Sequence, residues 1–262
     1  MSFLEQIFKD KRREVALTER GRPLDDLVRE AGETPASPDF MRIFRDASPG
    51  KFAVIAEIKR RSPSKGPLNP GLDPVQTAKV YEAHGAAAVS VLTDEKYFGG
   101  SLDDLRAAAG AISLPVLRKD FIFCPYQVHE ARAAGASAVL LIAAMLADEM
   151  LGNLVALTAS LGLAALVEVH SLDEIERSLA AGAELIGINN RDLHSFEVRL
   201  ETSFELRPHI PDGVPVIAES GIRSPADIAA LSAAGLDGVL IGEALVRSGD
   251  PGTLLAKLAG VQ

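Results

Sequence analysis

The stretch EARAAGASAVLLI at residues 130–142 contains the unit that decides the fold: the end of a helix, a glycine and a short apolar strand. A glycine directly after a helix takes the left-handed backbone conformation that ends the helix without a steric penalty from Cβ. The apolar run that follows is continuous and not alternating, which is typical of a strand buried on both faces. Variants of this unit recur at residues 82–92, 159–169, 179–189 and 231–242.

Three further apolar runs, at residues 51–59, 113–121 and 214–220, bring the number of predicted strands to eight. Helical patterns such as SLDEIERSLAA (171–181) lie between them. Strands that alternate with helices predict a parallel sheet, and eight such units favour a closed (β/α)₈ TIM barrel over a doubly wound sheet. The predicted strands are Ala53–Ile58, Ala88–Leu92, Pro115–Leu117, Ala138–Ile142, Ala164–Val167, Leu185–Ile188, Val214–Ala218 and Gly238–Ile241.

The chain has 262 residues, close to the roughly 250 of a typical barrel, although length alone would also permit two small domains. We predict a single barrel domain over residues 1–262, with residues 1–50 as an N-terminal helical extension. The extension is predicted to contain an amphipathic helix from Phe3 to Leu17, a polar linker and a short helix near Phe40–Arg45. It is expected to cover one end of the barrel or, alternatively, to act as a substrate lid.

The composition excludes several classes of protein. A formal net charge of −9 disfavours a nucleic-acid partner but not an anionic small molecule, because the local charge in a cleft can oppose the overall charge. The single cysteine, Cys124, permits no intrachain disulfide, which fits a cytoplasmic protein. The sequence shows neither a stretch of signal-peptide type nor a long transmembrane run, so we expect no membrane association.

Charged residues end several of the predicted strands, where the active site of such a barrel lies. Glu57 and Lys59 are two residues apart and therefore share one face of the first strand. Lys119 and Glu168 follow two other strands. Amines and carboxylates that converge on one barrel mouth shift each other's pKa values in the directions that acid–base catalysis requires. A purely structural layer of paired charges is the alternative.

The last two strands indicate an anion site. ESGIRS (219–224) and IGEALVRS (241–248) each place a glycine at the turn from strand to helix. Such turns offer unpaired backbone N–H groups to an anion, and barrels often hold a substrate phosphate there. Two tight turns without a ligand are the alternative. Phe98 and Phe121 flank the charged mouth and either form an apolar substrate wall or only pack their loops.

Other residues carry weaker signals. No pair of histidines has metal-ligand spacing, so we predict no metal, and no GxGxxG stands between a strand and a helix, so we predict no dinucleotide. His170 follows Glu168 and is interpreted as the start of the next helix. Cys124 has no basic partner nearby in the sequence and is predicted to be inert.

In their order and strand positions, several segments resemble the indole-3-glycerol-phosphate synthase family of tryptophan biosynthesis. The joint occurrence of EIKRRSPS, LRKDFI and INNRDL is highly specific, and the resemblance spans nearly the whole chain. The segments are AEIKRRSPSKG (56–66), SVLTDEKYFGGS (90–101), LRKDFI (117–122), VLLIAA (139–144), LVEVHS (166–171), GINNRDL (187–193), AESGI (218–222) and LIGEALVR (240–247).

The resemblance implies a reaction and its partners. The substrate would be 1-(2-carboxyphenylamino)-1-deoxyribulose 5-phosphate, which the enzyme closes to a pyrrole ring with loss of CO₂ and water. The product would be indole-3-glycerol phosphate. The resemblance implies no cofactor. The expected assembly is a monomer or a weak homodimer.

The resemblance also implies roles for individual residues. Lys119 would be the general acid for ring closure, and Lys59 would assist the acid chemistry and hold anionic groups. Glu168 would be the base, or stabilise positive charge on the anilino nitrogen. Glu57 and Asn189 would orient the lysines and the sugar hydroxyls.

The remaining candidates would bind the substrate. Glu219 and Ser220 would line the mouth; Gly221, Gly242 and the N–H of Glu243 would hold the phosphate; Ser62 and Arg191 would hold the anthranilate carboxylate; Phe98, Phe121, Leu140 and Ile241 would contact the aromatic ring.

One position departs from the family pattern, which often has serine or threonine where this chain has Glu243. A carboxylate beside a phosphate would repel the phosphate unless the side chain turned away. We therefore expect the phosphate to contact the backbone N–H of Glu243 and not a side-chain hydroxyl at this position.

Two alternative functions are a related phosphate-binding barrel, such as phosphoribosylanthranilate isomerase, and a non-catalytic phosphometabolite-binding protein. The isomerase would not explain both EIKRRSPS and LRKDFI, and binding alone does not require Lys59, Lys119 and Glu168 together.

Overall fold

A computed structural model describes residues 3–45, 52–193 and 195–261. The end of the predicted extension, the first residue of the apolar run at 51–59 and His194 lie outside the described residues.

Eight parallel strands form a closed barrel in which each strand pairs with its neighbours in the chain and the last pairs with the first. Ile55, for example, lies opposite Leu240 where the barrel closes. The predicted TIM barrel is therefore confirmed. The strands are β1 (Ala53–Ile58), β2 (Ala88–Leu92), β3 (Val116–Lys119), β4 (Ala138–Ile142), β5 (Ala164–Val169), β6 (Ile186–Asn189), β7 (Val216–Glu219) and β8 (Gly238–Ile241).

The observed strand bounds match the prediction for β1, β2, β4 and β8. The other four strands end one or two residues later than predicted, and three of these, β3, β6 and β7, also begin one or two residues later. The prediction ended each of these before its first charged or amide residue. In the barrel the backbone pairing continues through such residues, as between Asn189 and Glu219, whose side chains line the cavity at the mouth. Lys119, Glu168, Asn189 and Glu219 therefore stand on rigid strands and not on loops.

Helices lie between the strands as predicted. At the helix-ending glycines of the repeated unit, φ lies between +71° and +88°, which confirms the predicted left-handed helix ends. No helix in the described ranges is long and apolar enough to cross a membrane. The helices are α1 (Phe3–Gly21), α2 (Leu24–Glu33), α3 (Arg42–Arg45), α4 (Pro74–Ala83), α5 (Glu95–Phe98), α6 (Leu102–Ala111), α7 (Pro125–Ala133), α8 (Asp148–Ser160), α9 (Leu172–Ala180), α10 (Glu201–Leu206), α11 (Pro225–Ala233), α12 (Glu243–Val246) and α13 (Pro251–Ala259), with 3₁₀ turns at Ala143–Met145 and Arg207–His209.

Along each strand, successive apolar side chains belong alternately to two apolar cores. Val54 and Ala56 belong to the larger core between the barrel and its helices. Ile55 packs with Leu117 and Leu166 in the smaller core inside the barrel. Because side chains alternate along a strand, Glu57 continues the inward row at the C-terminal end of β1. The apolar interior thus ends in a charged layer at the mouth.

The N-terminal extension differs from its prediction. The predicted polar linker contains α2, which packs Leu27 and Ala31 against α7. Gly21 and Pro23 precede this helix and Gly32 lies in its last turn, so none of them interrupts the apolar face formed by Leu27 and Ala31. In addition, α1 runs four residues beyond the predicted end at Leu17. The short helix predicted near Phe40–Arg45 is present as α3, Arg42–Arg45.

The extension contacts both ends of the barrel and does not cover only one. Ser37 donates a hydrogen bond of 3.1 Å to the carbonyl of Gly135, which precedes β4 and so marks the N-terminal end. Phe40 is 1% exposed and packs against the core inside the barrel. At the opposite end, α1 lies against the ends of β2 and β3.

A buried lysine fixes α1 at that end. The Lys11 side chain is 1% exposed, and its Nζ lies 2.8 Å from Asp94 Oδ2 and 3.0 Å from Asp120 Oδ1. Burial raises the pKa of Asp120, but Lys11 and Arg118 outweigh burial and lower that pKa to about 2. Because Asp94 follows β2 and Asp120 follows β3, one ammonium ties the extension to two strand ends.

Replacing Lys11 with Met is expected to lower the free energy of unfolding by about 3 kcal/mol or more, because it removes a buried cation from Asp94 and Asp120, of which Asp120 keeps its pair with Arg118. Lys9→Met, on the exposed side of the same helix, is the matched control and should change stability by less than about 0.5 kcal/mol. Urea unfolding measures both, and amide hydrogen exchange in α1 shows whether the helix is released first. Equal stability of the two variants would contradict the proposed anchoring role.

Candidate active site at the barrel mouth

A cavity of about 430 Å³ lies at the C-terminal ends of the strands. All the site residues predicted from the sequence line it. They are Glu57, Lys59, Ser62, Phe98, Lys119, Phe121, Leu140, Glu168, Asn189, Arg191, Glu219, Ser220, Gly221, Ile241, Gly242 and Glu243. Leu4 and Ile7 of α1 also line the cavity, so the extension forms part of its wall.

Lys119 stands at the centre of the charged layer. Its Nζ lies 2.5 Å from Glu219 Oε2, 3.7 Å from Glu168 Oε2 and 3.8 Å from Glu57 Oε2. Burial lowers the pKa of Lys119, but the three carboxylates outweigh burial and raise that pKa above its usual value. The ammonium is therefore held charged inside the barrel mouth.

Lys59 and Glu57 form a second ion pair in the same layer, with Nζ 2.6 Å from Oε1. Burial raises the pKa of Glu57, but Lys59 and Lys119 outweigh burial, and the net shift is downward. Glu57 is therefore an ionised carboxylate that lies between the two lysines, as its predicted orienting role requires.

Glu219 has a closer relation to Lys119 than the sequence indicated. Burial raises the pKa of Glu219 to about 7, with Lys119 opposing and Glu168 adding to the rise. Its second oxygen, Oε1, has no hydrogen-bond partner among the described residues. The family resemblance implied only that Glu219 lines the mouth. A carboxyl that titrates near neutrality is suited to acid–base chemistry.

Two glycines make room for these carboxylates. A Cβ on Gly242 would overlap the Glu57 side chain, and a Cβ on Gly187 would overlap the Glu219 carboxylate. Gly242 was predicted as a phosphate-binding turn, and the structure gives it a further reason to lack a side chain. Gly221, at φ +88°, follows Ser220, which itself has a positive φ of +64°. The turn after β7 is therefore an unusual backbone conformation at the edge of the cavity.

The remaining predicted site residues, both apolar and polar, line the same cavity. The rings of Phe98 and Phe121 lie 6.1 Å apart between centroids and pack in a tilted arrangement. The Ser62 hydroxyl is buried and has no hydrogen-bond partner within the described ranges. Asn189 accepts a hydrogen bond of 3.1 Å from the backbone N–H of Arg191, which fixes the turn after β6.

The Glu243 side chain is turned toward arginines. Its Oε2 lies 3.8 Å from Arg191 and its Oε1 lies 3.7 Å from Arg247. Two guanidinium groups therefore offset the negative charge that this position adds to the site. Repulsion of an anion at the backbone N–H of Glu243 is reduced accordingly.

Sequence reasoning missed several neighbours of the site. His170, interpreted only as the start of a helix, lies with Nε2 3.5 Å from Glu168 Oε1. Arg60 joins the loop after β1 to the loop after β2, donating a hydrogen bond of 3.0 Å to the carbonyl of Gly99 and pairing with Asp104. A run of basic residues such as Arg60 and Arg61 carries no signal of which one turns inward. Among the described residues, no group of His, Cys, Asp and Glu is arranged to hold a metal ion.

Comparison with solved structures shows likeness of fold alone. Thiamine phosphate pyrophosphorylase from Pyrococcus furiosus superposes with a TM-score of 0.60 at 19% identity, over 80% of this chain and 95% of the other. A 3-hexulose-6-phosphate synthase superposes with a TM-score of 0.59 at 16% identity, over 80% of this chain and 99% of the other.

Comparison of sequences is more specific. Residues 4–258 match the family model of indole-3-glycerol phosphate synthase. The indole-3-glycerol phosphate synthase of Carboxydothermus hydrogenoformans is 49% identical, over 98% of this chain and 99% of the relative. That of Mycolicibacterium vanbaalenii is 48% identical, over 97% of this chain and 93% of the relative. The chain therefore belongs to the indole-3-glycerol phosphate synthase family.

Proposed function

We propose that the chain is a carboxy-lyase that converts 1-(2-carboxyphenylamino)-1-deoxyribulose 5-phosphate to indole-3-glycerol phosphate, without a cofactor. The observation that carries the proposal is the placement of Lys119 among Glu57, Glu168 and Glu219, with Lys59 paired to Glu57. These groups supply the proton donors and the acceptor that ring closure and dehydration require. The partner is a small phosphorylated substrate.

The first step is attack of the carboxylate-bearing aryl carbon on the ribulose carbonyl. Lys119 donates a proton to the carbonyl oxygen as the carbon–carbon bond forms, and its negative neighbours stabilise the ammonium before that step. Positive charge on the anilino nitrogen is stabilised by the nearby carboxylates, Glu168 among them. Loss of CO₂ then restores the aromatic ring.

The second stage is dehydration. A lysine donates a proton to the departing hydroxyl, and Glu168 takes a proton from the neighbouring carbon of the new ring. Lys59 is the second acid, held in place by Glu57. Glu219, which titrates near neutrality, replaces the proton that Lys119 has given up, across their 2.5 Å contact.

The substrate's other groups fit the rest of the cavity. The phosphate lies against the backbone at Gly221, Gly242 and Glu243, and the aromatic ring packs between Phe98, Phe121, Leu140 and Ile241. Ser62 and Arg191 bind the anthranilate carboxylate. The unpartnered Ser62 hydroxyl supports this assignment, because a buried polar group without a partner favours a ligand that supplies one.

The direct test is a fluorescence assay for the indole product with the ribulose phosphate substrate. Formation of the product would support the proposal. Tight binding of the phosphate ester without turnover would favour a binding protein instead.

Replacing Lys119 with Met is expected to lower kcat by at least about 10²-fold, because a positioned general acid contributes at least that much. Lys79→Met, on the exposed face of α4, is the matched control and should keep wild-type turnover. Circular dichroism checks that both variants are folded. A Lys119 variant within a few-fold of wild type would remove Lys119 from the role of acid.

Replacing Glu168 with Gln is expected to lower kcat by a similar factor, about 10²-fold or more, while KM stays near the wild-type value. The amide keeps the shape of the side chain but cannot take a proton. Glu176→Gln, exposed on α9, is the control. Unchanged turnover in the Glu168 variant would show that this carboxylate is structural.

A further inference from the structure

His170 stands between two carboxylates at the end of β5. Its side chain is 14% exposed, with Nε2 3.5 Å from Glu168 Oε1 and Nδ1 3.3 Å from Glu174 Oε2. An imidazole flanked in this way can take a proton at one ring nitrogen and release one to solvent from the other side.

The ring is held firmly in this position. The backbone N–H of His170 donates a hydrogen bond of 2.7 Å to Glu174 Oε2. The backbone N–H of Glu174 in turn donates one of 3.3 Å to the Ser171 hydroxyl, which caps α9. His170 Nδ1 therefore faces a fixed carboxylate. Nε2 has no hydrogen-bond partner in the described part of the chain, which leaves its contact with Glu168 available for a proton.

His170 also joins two separate spaces. Glu168 lines the reaction cavity, whereas His170, Ser171 and Glu174 line a second cavity of about 500 Å³. Glu168 is only 3% exposed, and the substrate fills the space on its other side during the reaction. The imidazole is therefore the group that connects the Glu168 carboxylate to the second cavity.

The proposed reaction requires such a connection. Two protons are donated, one to the carbonyl oxygen and one to the departing hydroxyl, and one is removed from a ring carbon. The carboxylate leaves as neutral CO₂, so each turnover takes up one proton overall. The proton removed from carbon nevertheless remains on Glu168 and must leave before that carboxylate can act as a base again.

We propose that His170 is a proton relay that returns Glu168 to its basic form by passing its proton to water in the second cavity. The Glu168 O–H bond breaks as the Nε2–H bond forms, giving an imidazolium between two carboxylates. The imidazolium then loses a proton to water, with Glu174 as the neighbouring acceptor. This inference rests on the proposed function, in which Glu168 is the base.

The charges around His170 are suited to this role. Glu168 of β5, Glu174 of α9 and Glu219 of β7 act on the ring, and Glu5 and Asp192 line the same second cavity. Burial lowers the pKa of His170, but the hydrogen bond with Glu174 and the charge of Glu168 outweigh burial, so that the net shift is upward. The ring therefore accepts a proton more readily than a free imidazole does.

The relay is tested by comparing the first turnover with later ones. His170→Gln is expected to leave the single-turnover rate within about twofold of wild type, because Glu168 starts in its basic form. The same variant should lower steady-state kcat by about 10-fold or more. His129→Gln, a half-buried histidine on α7 outside both cavities, is the matched control and should change neither rate.

A second variant tests the proton transfer itself. In His170→Ala, added imidazole is expected to restore steady-state turnover in a concentration-dependent way, since it fills the space that the side chain leaves. A merely structural role would slow the single turnover as well and would not respond to imidazole. Either that pattern or an unchanged steady-state rate would overturn the relay. Failure of the proposed function would appear differently, as absence of indole product from the wild-type protein.

Discussion

The burial of the Lys119 ammonium among three carboxylates is the interaction on which the site depends. A buried cation is tolerated only when it is paired and hydrogen-bonded. Here Glu57 comes from β1, Glu168 from β5 and Glu219 from β7, strands that are far apart in the chain. Only a closed barrel brings their C-terminal ends to one point. The charged layer therefore depends on the closed barrel.

The charged layer at the barrel mouth contains more carboxyl groups than amino groups. Two lysines face three glutamates, and one of these, Glu219, has a pKa near neutrality. Burial raises the free energy of its charged form, and two other carboxylates add to that effect. Protonation of Glu219 therefore leaves two carboxylates, Glu57 and Glu168, facing the two lysines. Glu219 can carry a proton because the negative charges of Glu168 and Glu57 disfavour its ionised form.

Much of the fold was predictable because its signals are local. A glycine at a helix end and a continuous apolar strand are written in adjacent residues, so the strands β1, β2, β4 and β8 were predicted with their observed bounds. The ends of β3 at Lys119 and of β7 at Glu219 were not predicted. A charged residue within a buried strand is expected only when its partners, which are distant in the sequence, are known. The helix α2 was missed for a related reason, since its apolar face is explained by α7.

The candidate site was predictable as a set of residues but not as a network. The side chains predicted from their positions at strand ends and from the family resemblance line one cavity. Neither the positions nor the resemblance could show that His170 contacts Glu168. Side chains two residues apart in a strand lie on the same face, but they do not ordinarily contact each other. Here β5 ends at Val169, and the turn held by Glu174 brings the imidazole beside the carboxylate.

The N-terminal extension is electrostatically part of the same site. Lys11 binds Asp120, and Asp120 is the next residue after Lys119. Leu4 and Ile7, on the same helix, form part of the cavity wall. Because Lys11 anchors α1 to the residue that follows Lys119, the position of this wall is coupled to the strand that carries Lys119. Loss of the Lys11 contact would therefore displace the cavity wall formed by α1 before it disrupted the barrel core, because the pairing of the barrel strands does not involve α1.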